Sequence, residues 1–155
     1  MEMGNVIAYI EDIEWIYRRV EKNTPELTGK GKRYVYHSQD NIEVQSPAFN
    51  GTCPSVDLES LTNYNPVKTQ RHRDNGVLKF AVGAVREFDI DYNNISIDVK
   101  HKPEDGNWAH SEIIVVENGI KLSCKQKARA RQYLRHALAD FVDETHWVEK
   151  PVYPS

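Results

Sequence analysis

Ile95-Ser96-Ile97-Asp98-Val99-Lys100 alternates apolar and polar residues, and Ile113-Ile114-Val115-Val116 further on is apolar without a break. The alternation is the period-2 pattern of a half-buried strand. The unbroken run is what a strand in the middle of a sheet shows. Between them lies His101-Lys102-Pro103-Glu104-Asp105-Gly106-Asn107-Trp108-Ala109-His110-Ser111-Glu112, and Asn118-Gly119 behind them is a strong turn signal. These two strands and the loop that joins them decide the reading of the fold.

Working outward toward the C-terminus, Ser123 is placed to cap a helix running to about Glu144, with Ala130, Leu134, Ala137, Leu138 and Phe141 as its apolar face. The segment 147–155 holds Pro151 and Pro154 and is predicted to be an extended tail. Toward the N-terminus, Val77–Val85 predicts a buried strand, alone or leading into a helix. Asn63–Gly76 predicts a polar loop, Leu58–Leu61 a short helical turn, Ser46–Pro54 irregular chain, and Arg33–His37 and Asn41–Val44 short strands. Val6, Ile7, Ile10, Ile13, Ile16, Tyr17 and Val20 fit helical spacing, so residues 5–20 read as a helix; a short helix followed by a strand over 14–20 is the rival. The expected architecture is therefore α+β: a mainly antiparallel sheet packed with an N-terminal helix and a long C-terminal helix, in one domain over 1–155.

Composition agrees with a folded domain. The chain has 155 residues, 39% hydrophobic and 28% charged, with eight Tyr, three Trp and four Phe to supply apolar area. A net charge of −3 does not indicate a globally basic nucleic-acid binder. Cys53 and Cys124 are too few for a disulfide framework or an all-thiolate zinc site, and Cys53 reads as a small buried thiol. No apolar run approaches the ~20 residues of a membrane helix, and no export signal is visible, so a cytoplasmic location without membrane attachment is expected.

The residues that could carry chemistry lie mostly in the loops. His101 and His110 end one strand and begin the next, so their imidazoles could meet at one sheet edge and share acid, base or anion-holding roles. The bland alternative is that His101 caps a turn and His110 packs under Trp108. With a carboxylate the two could also hold a metal, but no HxH, HExxH or CxxC spacing supports that, and metal-free chemistry is expected. Ser46, Ser55 and Asp57 sit where a polar ligand could be positioned, although loop Ser and Asp more often bond their own backbone. In the last helix Lys125, Lys127, Arg129, Arg131 and Arg135 precede Asp140, Asp143 and Glu144. That order opposes the helix dipole and predicts a phosphate or nucleic-acid contact, extended by Lys68, Arg71 and Arg73.

The succession Trp15-Ile16-Tyr17-Arg18-Arg19, Ser46-x-Ala48-Phe49, Ser55-Val56-Asp57, Gly76-Val77 and His101-x-Pro103 with Asn107-x-Ala109-His110 resembles a set of small, uncharacterised bacterial domains. The resemblance covers roughly residues 15–115 and carries no activity with it. The chain departs from the pattern at Trp108, where a Pro is expected. The chain is also distantly similar to NAD-using, ADP-ribosyltransferase-like toxin domains. That likeness implies Arg18 as a pyrophosphate anchor, Ser46 as support for the nicotinamide ribose and Glu112 as stabiliser of its developing charge, with NAD as the cofactor.

Two functions follow as expectations. One is an enzyme or binding domain for a phosphate-bearing substrate, a nucleotide or nucleic acid, using His101, His110, Arg18, Ser46, Asp57 and Glu112. The other is a non-catalytic adaptor in a multi-protein bacterial defence or toxin-type system, docking a protein partner through the C-terminal tail with Trp147 and Tyr153 as anchors.

Overall fold

A computed structural model describes residues 6–21, 35–38, 41–49, 53–88, 95–117, 120–121 and 128–151. Its strands are β1 (Trp15–Val20), β2 (Val35–Ser38), β3 (Asn41–Val44), β4 (Ser55–Leu58), β5 (Gly76–Ala81), β6 (Ile95–His101), β7 (His110–Glu117), β8 (Ile120–Lys121) and β9 (Trp147–Glu149). Its α-helices are α1 (Pro66–Gln70), α2 (Val82–Arg86) and α3 (Ala128–Phe141). The fold is α+β. The main sheet runs β6-β7-β4-β1-β5-β9 with β8 on β7, every pairing antiparallel, while β2 and β3 form a separate two-stranded ladder.

The two strands that opened the sequence reading are neighbours in register from Ile95↔Glu117 to His101↔Ser111. Alternation decides which side chains they bury. Ile97, Val99, Ile113 and Val115 join Ile16, Val20, Val56, Leu58, Leu78 and Phe80 in one core. That face is closed by Val35, Ile42 and Val44 of the small ladder, by Ala48 and Phe49, by Val82 and Val85 of α2, and by Leu134 and Leu138 of α3. The opposite face of the sheet carries the polar set: Tyr17 and Arg19, Ser55 and Asp57, Lys79, and His110 and Glu112.

The first segment is not the helix that its spacing predicts. Residues 6–14 are bends and turns, and Trp15–Val20 is a strand. Ile13 is 85% exposed and Tyr9 59%, so the 3–4 spacing does not mark a buried face. Residues 15–20 instead pair along their whole length with β5, and Ile16 and Tyr17 pair with β4 on the other side. The expected polar loop at 63–76 contains α1, which starts because the Asn65 side chain accepts from Val67 N at 3.1 Å and Pro66 follows at the first helical position. The last helix is described over Ala128–Phe141, so its expected beginning at Ser123 lies outside the described residues. It ends at Phe141, short of Glu144, because Asp143 caps a separate 3-10 turn over Glu144–His146. The bonds from Thr145, and then from His146, hold the Asp143 carboxyl down to about 2.

The expected tail is also part of the sheet. Residues 147–149 pair with β5, Trp147 is 8% exposed, and its indole nitrogen donates to Ile42 O at 3.4 Å. Tyr153 lies outside the described residues. Cys53 is half-buried and disulfide-bonded, not a free thiol. No helix among the described residues is long and apolar enough to cross a membrane.

Gly76 shows how closely β9 is seated. It pairs with Val20 at the end of the β1–β5 ladder, and a Cβ there would run into the Trp147 ring and meet Pro151 Cδ at 2.9 Å. Gly76→Ala is expected to destabilise the fold by about 1–3 kcal/mol through overpacking. Denaturant unfolding measures it; an unchanged midpoint would show that Trp147 does not rest on Gly76.

Candidate functional site

The site begins where two strands part. β1 pairs with β4 only at Ile16↔Leu58 and Tyr17↔Asp57, whereas its ladder with β5 continues from Trp15↔Ala81 to Val20↔Gly76. Beyond Tyr17 the ladder between β1 and β4 ends. Arg18 fills the gap: Nη1 donates to Ser55 O at 2.8 Å and Nη2 to Ala48 O at 2.7 Å, with the guanidinium 5.7 Å from the centre of the Phe49 ring. Two of its nitrogens thus tie β1 to the start of β4 and to the 3-10 turn Ser46–Phe49.

The opening is a cleft of about 340 Å³ lined by, among others, Tyr17, Arg19, Ser55, Asp57, Thr69, Arg71, Glu104, Asn107 and His110. Register explains why these residues meet. Asp57 stands opposite Tyr17 on β1 and opposite His110 on β7, and Tyr17 stands opposite Lys79 on β5. His110, Asp57, Tyr17 and Lys79 therefore form one polar row across four adjacent strands on the non-core face.

Each member of the row is held. Asp57 is buried; its Oδ2 accepts from Thr69 Oγ1 at 2.7 Å and its Oδ1 from Asn107 Nδ2 at 2.9 Å. Tyr17 donates its hydroxyl to Glu59 Oε2 at 2.7 Å, and Lys79 Nζ meets the same oxygen at 2.8 Å. Burial, then the bond to Glu59 and its charge, push the Tyr17 phenol well above its ordinary value, so it stays protonated and keeps donating. Asn107 is delivered by a tight turn in which Glu104 and Asn107 exchange backbone bonds of 3.0 and 2.9 Å, with Gly106 at φ 78° supplying the left-handed residue.

His110 is buried in the cleft wall. Its Nδ1 lies 2.7 Å from Lys102 O, an acceptor only, so Nδ1 carries the proton and Nε2 of the neutral ring is the acceptor. Nε2 faces Ser55 Oγ at 3.2 Å and Glu104 Oε1 at 3.3 Å. Arg19 is half-buried and ion-paired with Glu21 at 3.4 Å. Arg71 is exposed and sits in a left-handed backbone at φ 63°, uncommon for a non-glycine residue.

Of the residues singled out in the sequence, Arg18, Ser55, Asp57, Arg71 and His110 come together at the cleft. His101 does not join them. It is 4% exposed; its Nδ1 accepts from Ile7 N at 2.9 Å, and its Nε2 donates to Trp108 O at 2.7 Å. It pins the N-terminal segment to the loop, with the Trp108 ring edge-on at 5.3 Å, so the two imidazoles are not a pair. Ser46 lines a different groove, between β3 and the end of α3, with His136, Asp140 and Asp143. Glu112 is ion-paired with Lys102 Nζ at 3.2 Å, opposite Ser55 in register and outside the cleft. Arg18, Ser46 and Glu112 therefore share no pocket in which NAD could be held. In α3, Arg135 is half-buried and outside the cleft; the side chains of Arg129 and Arg131, and all of Lys125 and Lys127, lie outside the described residues. Among the described residues no group of three or more metal-ligating side chains converges.

Tyr17, Arg19 and Thr69 carry no chemical signal in the sequence, and only register and the position of α1 bring them in. Fold and site together define an α+β domain whose antiparallel sheet opens a polar cleft on its non-core face. No known protein family, no curated protein and no solved structure matches this chain.

Proposed function

We propose that this chain binds and processes a phosphate-bearing ligand of the nucleotide class in the cleft between β1 and β4. The observation that carries the reading is the placement of His110: Nδ1 lies 2.7 Å from Lys102 O, which turns Nε2 toward the cleft, 3.2 Å from Ser55 Oγ and 3.3 Å from Glu104 Oε1. Arg19 and Arg71 at the rim supply guanidinium donors suited to phosphate oxygens. Arg71 is held at the C-cap of α1, where its N–H donates to Val67 O. A volume of about 340 Å³ suits one nucleotide-sized group. Arg18 and Asp57 act as positioning residues, holding the strand ends and the row beneath the cleft.

The adaptor reading is less well supported. It offered a sheet edge or the C-terminal tail for docking, and of the two tail anchors Trp147 is buried against Gly76.

Thermal unfolding with a panel of mono- and dinucleotides, inorganic phosphate and short oligonucleotides tests the proposal. A ligand at a hundredfold excess over its Kd stabilises the native state by about 2.7 kcal/mol, a rise of roughly 5–10 °C for a chain of this size. The rise is expected with the parent chain and is expected to be lost in Arg71→Ala and His110→Ala. No rise with any phosphate compound, or the same rise in both variants, removes the cleft from consideration.

A further inference from the structure

We propose that Ser55 is a nucleophile, activated by His110, which forms a transient covalent bond to the phosphorus of the ligand. The inference deepens the cleft reading above and rests on it for the choice of substrate.

Ser55 opens β4 and is exposed at the cleft. Its backbone is fixed on both sides: Pro54 O accepts from Ile113 N at 2.9 Å, and Ser55 O accepts from Arg18 Nη1 at 2.8 Å. The hydroxyl therefore has only its own rotation left, and it lies 3.2 Å from His110 Nε2. A serine is a weak nucleophile until an adjacent base takes its proton, and that base needs a third group to set its tautomer. Here the third group is a backbone carbonyl. Lys102 and His110 are tied twice, Lys102 N donating to His110 O at 2.9 Å and His110 Nδ1 to Lys102 O at 2.7 Å. Once Nε2 has gained the proton, Glu104 Oε1 at 3.3 Å is the carboxylate that faces the imidazolium. Arg71, exposed at the cleft, and Arg19, which would have to turn from Glu21, are the cations for charge on the phosphoryl oxygens.

The step balances without a co-reactant. Ser55 Oγ bonds to phosphorus as the bond to the leaving oxygen breaks, and the serine proton passes through His110 Nε2 to that oxygen. Water then attacks the phosphoserine. His110 takes one of its protons, the Oγ–phosphorus bond breaks, and the proton returns to Ser55.

Diisopropyl fluorophosphate is a suitable probe. It is uncharged, needs no anion contacts, and leaves a stable adduct as fluoride departs. Incubation of the full chain followed by intact-mass measurement and peptide mapping is expected to give one adduct, on Ser55. Its rate is expected to fall about a hundredfold in His110→Gln, the range a general base contributes. The adduct should be absent in Ser55→Ala and unaffected in Ser46→Ala. The site of modification is read from the parent chain itself, so a variant that fails to fold does not obscure it. No adduct, an adduct on another serine, or an equal rate in folded His110→Gln overturns the proposal. Nucleotide stabilisation without a Ser55 adduct sinks the nucleophile and leaves the cleft reading standing. A Ser55 adduct without nucleotide stabilisation upholds the nucleophile and sinks the choice of ligand.

Discussion

Asp57→Ala is expected to lower the stability of the chain by about 1.5–4.5 kcal/mol, the buried Thr69 hydroxyl losing its acceptor at about 1–3 kcal/mol and the half-buried Asn107 amide at about 0.5–1.5 kcal/mol, and to abolish the response to ligand. The carboxyl group is 8% exposed and lies between Thr69 Oγ1 and Asn107 Nδ2. Alanine leaves the buried Thr69 hydroxyl without its acceptor and the half-buried Asn107 amide without its carboxylate partner at the cleft wall. Both then relax, and they belong to the two segments that shape the cleft, α1 and the 104–107 turn. Asp57→Asn is expected to be milder. The Thr69 hydroxyl can reverse to accept from the new amide while the remaining oxygen still takes the bond from Asn107. Denaturant unfolding of the two variants beside the parent measures the ordering. Equal losses for Ala and Asn would mean that charge, not hydrogen-bond satisfaction, holds Asp57 in place.

Phe49→Ala is expected to lower stability by about 3–5 kcal/mol, the range for deleting a buried aromatic ring. Phe49 is 0% exposed and sits in the 3-10 turn Ser46–Phe49, against which α3 packs. The ring also lies beneath Arg18, which bonds the carbonyl of Ala48 in the same turn. Its loss therefore reaches the cleft: Arg18 loses both its platform and the fixed position of one acceptor. Phe49→Leu keeps most of the volume and is expected to recover more than half of the stability while leaving the ligand response weakened. A variant with full ligand response and reduced stability would show that the cleft does not depend on the Arg18 bracket.

The sheet was legible in the sequence where burial repeats regularly. Ile95–Lys100 and Ile113–Val116 announce their strands because one strand buries a single face and the other lies between two partners. Trp15–Val20 was misleading for a physical reason. Ile7, Ile10, Ile13 and Ile16 happen to fall at helical spacing, yet the chain gains more from ladders on both sides of β1 than from a helix whose apolar stripe would include the 85% exposed Ile13. Asn65-Pro66 was a helix start hidden in a polar segment.

The site was legible only as a set of residue types. Arg18, Asp57 and His110 were visible as candidates, but nothing local distinguishes His110 from His101. The difference is long-range. An amide from the N-terminal segment, Ile7 N, occupies the ring of His101, while His110 lies in register with Asp57 and opposite the divergence of β1 and β4. Tyr17 and Thr69 enter for the same kind of reason, because pairing and helix placement carry them to Asp57.

The strand β9 has a bearing on how copies of this chain behave in crowded solution. It closes one side of the sheet with only three residues, and Pro151, which has no amide hydrogen to offer, follows almost at once. A short border that ends in proline gives a neighbouring molecule little backbone to zip onto. The same Trp147 that fastens this border to Gly76 thereby guards against sheet-to-sheet aggregation, and loosening it would expose the six-residue flank of β5 to other chains.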